Sequence, residues 1–188
     1  MILLALLIPA LVISLLTGGR ITRLAEVHLR HSYLIPLALG IQVMIFSAWW
    51  HRQVGASLLS DALYILSLAL TAVFCALNWR VPGVLALGLG LMLNAAVILA
   101  NGGHMPASLQ ALRIAGIVDS REAFEAMRIT NSSLIDATTP LWFLGDVFAV
   151  PKQAPLANVF SIGDVLIGVG ACWFLWANMR VPGNPKEE

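Results

Sequence analysis

Apolar residues fill five long stretches of the chain, and polar stretches separate them. A helix of about 17 to 25 mostly apolar residues is long enough to cross the hydrocarbon core of a bilayer. Each of the five stretches is close to or within that length. The pattern therefore predicts five membrane-spanning helices, over residues 1–17, 33–50, 56–78, 82–100 and 159–179.

The stretches between the predicted spans have patterns of their own. Residues 20–31 mix arginines and histidines with isoleucine, leucine and valine, which is typical of a helix lying on a membrane surface. Residues 101–158 form the long polar stretch, in which ASLQALRIA followed by Gly116 predicts a short helix with a glycine stop. Residues 141–150 are apolar but too few to span, so we expect a packed, interfacial or re-entrant segment.

Composition places the whole chain in one class. Of the 188 residues, 59% are hydrophobic and 11% charged, against about 25% charged in ordinary soluble domains. The mean hydropathy is +0.86. The chain is therefore predicted to be an all-α integral membrane protein of one domain, with the lipid bilayer as its surroundings. The net charge of +1 gives no indication of a nucleic-acid partner.

The basic residues predict the orientation of the spans. Loops on the cytoplasmic side of a membrane carry an excess of lysine and arginine. If the N-terminus is outside, the cytoplasmic parts carry Arg20, Arg23, Arg30, Arg80, Arg180 and Lys186, and the short outer loop carries only Arg52. We therefore expect the N-terminus outside, the C-terminus inside, residues 20–31 on the cytoplasmic side and residues 101–158 outside.

The fourth predicted span carries a stripe of small and polar residues. Asn94 and Asn101 are seven residues apart and share one helical face, which Gly90, Ala86 and Gly83 continue. Small residues let two membrane helices approach closely, so this face is predicted to pack against another helix of the chain or of a partner.

Polar residues gather at the outer ends of the predicted spans. A carboxylate near a membrane is costly to bury and is a candidate for function. Asp146 and Asp164 would meet Asn101 beneath the outer loop. The full candidate polar site comprises Asn94, Asn101, Gly102, Gly103, His104, Asp146 and Asp164. The alternative is structural, with Asp164 capping free N–H groups at the start of its helix.

The sequence contains only incomplete matches to known catalytic and cofactor-binding motifs. Ser161-Ile162-Gly163-Asp164 resembles the GxGD motif of intramembrane aspartyl proteases, but serine stands at its first glycine, and Asp61 would have to be the second aspartate. His104 offers a single ligand for a haem or chlorophyll, and Asn101-Gly102-Gly103 offers backbone N–H groups to an anion. We predict no catalytic residue and no metal site, and the sequence indicates no particular cofactor.

Three blocks, NGGHMP, TPLWFLGDVFAVP and NVFSIGDV, resemble a family of small bacterial membrane proteins classed as a domain of unknown function. The resemblance implies a multi-span protein of the bacterial plasma membrane and implies no activity.

The functional interpretation that fits the sequence best is an accessory or assembly subunit, or a component that binds a lipid or an apolar cofactor. It would meet a protein partner, or a second copy of itself, through small-residue faces. The alternatives are a small oligomeric transporter and a membrane enzyme that uses the outer carboxylates on a lipid or peptide.

Overall fold

The computed structural model describes residues 2–45, 47–55, 57–127 and 132–180, and these residues are mostly helical. The α-helices are α1 (Ile2–Leu16), α2 (Leu34–Ile45), α3 (Ala48–Gln53), α4 (Leu58–Leu77), α5 (Val84–Ala100), α6 (Leu109–Ile114), α7 (Arg121–Ala126) and α8 (Ile162–Asn178). The strands are β1 (Met105–Ala107), β2 (Ser132–Leu134), β3 (Phe148–Val150) and β4 (Asn158–Phe160). Two 3-10 helices cover Ile21–Glu26 and Trp142–Leu144.

Five apolar helices form the bundle and pack side by side in the order α1, α8, α5, α4, α2. The closest pair is α5 and α8, which run antiparallel. A Cβ atom built on Gly90 would lie 2.8 Å from the backbone nitrogen of Ile167, and one on Gly170 would lie 2.5 Å from that of Leu87. The small face predicted on the fourth span therefore packs against α8 within the same chain.

One end of the bundle is held together by bonds between distant segments. The Arg23 guanidinium donates a 2.8 Å hydrogen bond to the carbonyl oxygen of Arg180 and so occupies an acceptor just past the end of α8. The Asn78 side chain donates to the Arg30 carbonyl at 2.9 Å and accepts from the Arg30 N–H at 2.8 Å. Five arginines belong to this end: Arg20, Arg23, Arg30, Arg80 and Arg180.

The other end carries a small folded unit, the cap, which comprises residues 101–127 and 132–160. Strands β1 and β2 pair parallel, and β3 and β4 pair antiparallel, with the rings of Phe148 and Phe160 stacked 5.5 Å apart. The cap has its own buried core of Ala107, Leu112, Val118 and Phe124. A second set of apolar contacts therefore holds the cap together.

Three expectations about the elements need correction. The chain is not purely helical, since the cap contains short strands. They were not predicted, because β1 pairs with residues far along the sequence and no local periodicity reveals such pairing. Residues 20–31 contain a shorter helix than expected, the 3-10 helix Ile21–Glu26, and Arg20 and Arg23 bond to the end of α8. The stretch 33–50 contains α2 and the start of α3, whose N-cap is Ser47, with its hydroxyl accepting from the Trp50 N–H. Helix α6 and its stop at Gly116 are confirmed.

Helix length and composition single out one element. Within the described residues, α4 is long and apolar enough to cross a membrane, and 24% of its most apolar window is buried inside the chain. The other apolar helices run 10–17 residues. Length and hydropathy therefore mark one candidate span, and the five-span arrangement stays a prediction.

Candidate functional site

A cluster of three polar side chains joins α5 to the start of α8. Asn94 donates from Nδ2 to Oδ1 of Asp164 at 2.9 Å and accepts at Oδ1 from the Ser161 hydroxyl at 2.8 Å. The second Asp164 oxygen accepts from the Ser161 N–H at 3.1 Å, and Ser161 Oγ accepts from the Asp164 N–H at 3.0 Å. Ser161 is fully buried. The Asn94–Ser161–Asp164 cluster therefore caps α8 and bridges two helices at once.

Gly163 makes this approach sterically feasible. A Cβ at that position would collide with the side-chain amide of Asn94 and would come within 2.7 Å of the Gly90 carbonyl oxygen. Because Gly163 has no side chain, the Asn94 amide lies against the α8 backbone and reaches Asp164. The capping role considered for Asp164 is confirmed.

Asp146 lies in the cap, beside this cluster. Its backbone is fixed to β1: its N–H donates to the Pro106 carbonyl at 2.8 Å, and its carbonyl accepts from the Ser108 N–H at 3.0 Å. Burial, and to a smaller extent the negative charge of Asp164, together raise the pKa of the Asp146 carboxyl to about 7. The two aspartates are thus electrostatically coupled across the junction of cap and bundle.

The other predicted site residues lie elsewhere. The Asn101 side chain donates to the Val97 carbonyl at 2.7 Å and to the Pro140 carbonyl at 3.0 Å, so it ends α5 and ties down the cap. Gly102 and Gly103 form the turn after α5, with φ of +63° and +90°. His104 is exposed. The Asn101 NH₂ group therefore bonds to two backbone carbonyls and not to the carboxylates of Asp146 or Asp164.

The chemistry open to the cluster follows from these bonds. Asp164 is held by the Asn94 amide and the Ser161 N–H, so its carboxylate caps α8 and joins it to α5. The side chain of Asp61, the other acid considered for a protease pair, lies outside the described residues. Among the described residues, no group of three or more His, Cys, Asp or Glu side chains is placed to hold a metal ion.

Sequence reasoning missed part of the polar interior. Gln42 of α2 donates from Nε2 to the Ser67 hydroxyl of α4 at 3.1 Å, and both lie inside apolar stretches. A glutamine in the middle of a predicted span was the available signal, since polar groups are costly there. Ser161 was noticed only as a departure from the protease motif, although Ser-x-x-Asp before an apolar run resembles a capping box.

The geometry defines a helical bundle whose polar end is closed by a small α and β cap. The chain belongs to a family of unknown function (DUF5317), whose model matches residues 26–176. Those residues include α2 to α7, all four strands and most of α8. Searches of curated proteins and of solved structures gave no match.

Proposed function

We propose that this protein is a non-enzymatic integral membrane component of the bacterial plasma membrane, with five membrane segments and the cap outside. The observation that carries the proposal is the outer surface of the bundle. Large apolar side chains are exposed along every apolar helix, among them Val12, Val43, Ile65, Leu89 and Val169. Exposed apolar surface on this scale is typical of contact with lipid or a partner.

Charge and aromatic residues agree with this placement. Among the described residues, Glu26 is the acid of the arginine-rich end, whereas the cap carries most of the acids together with Arg113, Arg121 and Lys152. Positive residues favour the cytoplasmic side, so the cap would lie outside. Exposed aromatic rings lie near both ends of the bundle, as expected of interfacial belts: Tyr33, Trp79 and Trp176 near the arginines, and Trp49 together with Trp142 and Phe143 of the cap at the other end.

The helix lengths are compatible with short spans. At about 1.5 Å per residue, the 17 residues of α5 and of α8 reach roughly 25 Å, the short end of the spanning range. A bilayer adapts to short spans by local thinning and by snorkelling of flanking side chains. The shortest segment, α2, would need the most adaptation.

The role as an accessory component follows from how the polar groups are used. The side chains of the Asn94–Ser161–Asp164 cluster are bonded to one another and hold α5 to α8, which favours a structural role for the cluster over a catalytic one. The glycines at positions 83, 90, 163 and 170 pack within the chain. A protein partner would therefore contact the exposed apolar faces, such as that of Leu85 and Leu89 on α5.

Reporter fusions test the topology. A fluorescent protein that matures only in the cytoplasm should be bright after Glu188 and dark when inserted at Asp119. Alkaline phosphatase, which is active only outside, should show the opposite pattern. Carbonate extraction should leave the untagged protein in the membrane fraction. Release by carbonate, or a bright cytoplasmic reporter at Asp119, would overturn the proposal.

A further inference from the structure

We propose that a cleft between α2, α4 and α5 binds an uncharged amphiphile, an apolar chain that ends in a hydroxyl group, taken from the bilayer. The inference rests on the membrane placement proposed above. The cleft has a volume of about 300 Å³, the lower end of the range for ligand sites. Its walls are mainly apolar: Ile35, Ala38, Leu39, Leu68, Leu91, Met92, Ala95 and Ile98. The polar residues in its lining are Gln42, Tyr64, Thr71 and Asn94.

The hydrogen bonds of Gln42 decide what kind of head group the cleft accepts. The Ser67 hydroxyl donates its hydrogen to the Tyr64 carbonyl at 2.7 Å, so its oxygen can only accept from Gln42. That requirement places the Gln42 NH₂ group against Ser67. The remaining Gln42 oxygen, Oε1, has no hydrogen-bond partner among the described residues and is an acceptor at the cleft wall.

A second group in the wall is also an acceptor. Thr71 lines the cleft, and its hydroxyl donates to the Ser67 carbonyl at 3.0 Å. Its oxygen lone pairs therefore remain for a ligand, and a ligand must bring the hydrogen. No lysine, arginine, histidine, aspartate or glutamate is among the described lining residues. A neutral hydroxyl head fits this wall, because a charged head would lack a counter-ion.

Entry to the cleft is from the side of the bundle. Leu39 is 58% exposed and Leu91 is 40% exposed, and both line the cleft. In a bilayer these two side chains would face lipid, so an apolar chain would enter laterally without crossing the head-group region. The buried Ala38 stands at the wall and leaves room for that chain.

Photolabelling of the full-length protein in detergent micelles tests the inference. The probes are a diazirine-bearing hexadecanol and the matching diazirine-bearing hexadecane, which lacks the hydroxyl. The alcohol should label peptides of α2, α4 and α5 about fivefold more than the alkane, the ratio expected from one hydrogen bond. Gln42→Leu should lower this preference, with Thr71 as the remaining acceptor, and leave labelling by the alkane unchanged. Melting temperatures within 2 or 3 degrees of the parent, roughly the shift of a minor surface change, show that each variant is folded.

The matched pair Leu39→Trp and Leu37→Trp separates the cleft from the general lipid surface. Both leucines are exposed on α2, but only Leu39 lines the cleft. Leu39→Trp should lower labelling by both probes, and Leu37→Trp should not.

Competition by dioleoylglycerol or by a short-chain quinol then identifies the source of the hydroxyl. Equal labelling in the two tryptophan variants, or an unchanged alcohol preference in Gln42→Leu, overturns the inference. Because labelling is measured in micelles, it is independent of the carbonate and reporter tests.

Discussion

The direction of each hydrogen bond in the Asn94–Ser161–Asp164 cluster is fixed by its neighbours. The Ser161 hydroxyl donates to Asn94, which turns the Asn94 oxygen toward serine and its NH₂ group toward Asp164. Asp164 then accepts at both oxygens, from Asn94 and from the Ser161 N–H. A carboxylate is the side chain of this size that offers two acceptors, so the aspartate is required by hydrogen bonding alone.

Replacing this carboxylate by an amide should therefore destabilise the bundle. In Asp164→Asn, an NH₂ group must face either the Asn94 NH₂ group or the Ser161 N–H. The unpaired donors should cost about 1–3 kcal/mol of unfolding free energy. Denaturant unfolding in mild detergent measures the loss. Unchanged stability would show that the cluster does not hold α5 to α8.

A swap of the two residues gives a sharper test of the same bonds. In the double variant Asn94→Asp with Asp164→Asn, the new carboxylate would accept from Ser161 and from the new amide, whose oxygen would accept from the Ser161 N–H. The three side-chain bonds of the parent are thereby restored, and donor and acceptor are exchanged only in the bond between positions 94 and 164. The double variant should recover most of the stability that each single variant loses. Additive losses would contradict this account.

At the scale of elements, the contact between α5 and α8 depends on backbone approach. The side chains at positions 83, 90, 163 and 170 are all hydrogen, and the two helices meet at these points. Close approach increases the dispersion contacts between the two helices. The glycines therefore act as a shared surface and not as points of flexibility.

Gly90→Ala should destabilise the protein, whereas Gly40→Ala should not. A Cβ on Gly90 would lie 2.8 Å from the Ile167 backbone nitrogen, while one on Gly40 of α2 would have no atom within 4 Å. We expect a loss of about 1–3 kcal/mol from overpacking at Gly90. At Gly40 we expect a gain of up to about 1 kcal/mol from helix propensity. Thermal unfolding of both variants under the same conditions measures the two changes in stability. Equal changes for Gly90→Ala and Gly40→Ala would mean that α5 and α8 tolerate wider separation.

The sequence predicted the helices better than the cap. The long apolar stretches placed α4, α5 and α8 within a few residues, and the stripe of small and polar residues on the fourth span predicted a packing face, which the structure places against α8. The cap could not be predicted in the same way, because β1 pairs with β2 across more than twenty residues. The use of Asn101 as a helix cap was also missed. Its acceptor at Pro140 is distant in sequence, so no local pattern indicates it.

For the whole molecule, the junction between cap and bundle depends on the charge of Asp146. Its pKa lies near 7 in the folded chain and near 3.8 when fully solvated. Between these values the folded chain binds more protons than the unfolded chain. The contribution of the protonated Asp146 to the free energy of unfolding is therefore complete below about pH 3.8 and is lost as the pH rises through about 7.

Asp146→Asn should reduce this dependence on pH. Unfolding free energies measured from pH 5 to pH 8.5 should fall for the parent and stay flatter for the variant. The two should diverge by about 1–3 kcal/mol, after discounting for partial exposure. Glu122 and Asp136 titrate below this window, since hydrogen bonds lower the pKa of each carboxyl. If the unfolding free energies of parent and variant change with pH in parallel, Asp146 is not the origin of the pH dependence.

The packing of α1 on α8 has a consequence for synthesis of the chain. The first helix ends at Leu16, and its neighbour begins only at Ile162, roughly 145 residues later. At a ribosomal rate of about 5–20 residues per second, α1 waits about 7 to 30 s for that neighbour. Helix α5 also lacks its main partner until α8 has been made. Until α8 is made, α1 therefore lacks the helix against which it packs, and interruption of translation before α8 leaves the contact faces of both α1 and α5 open to proteases.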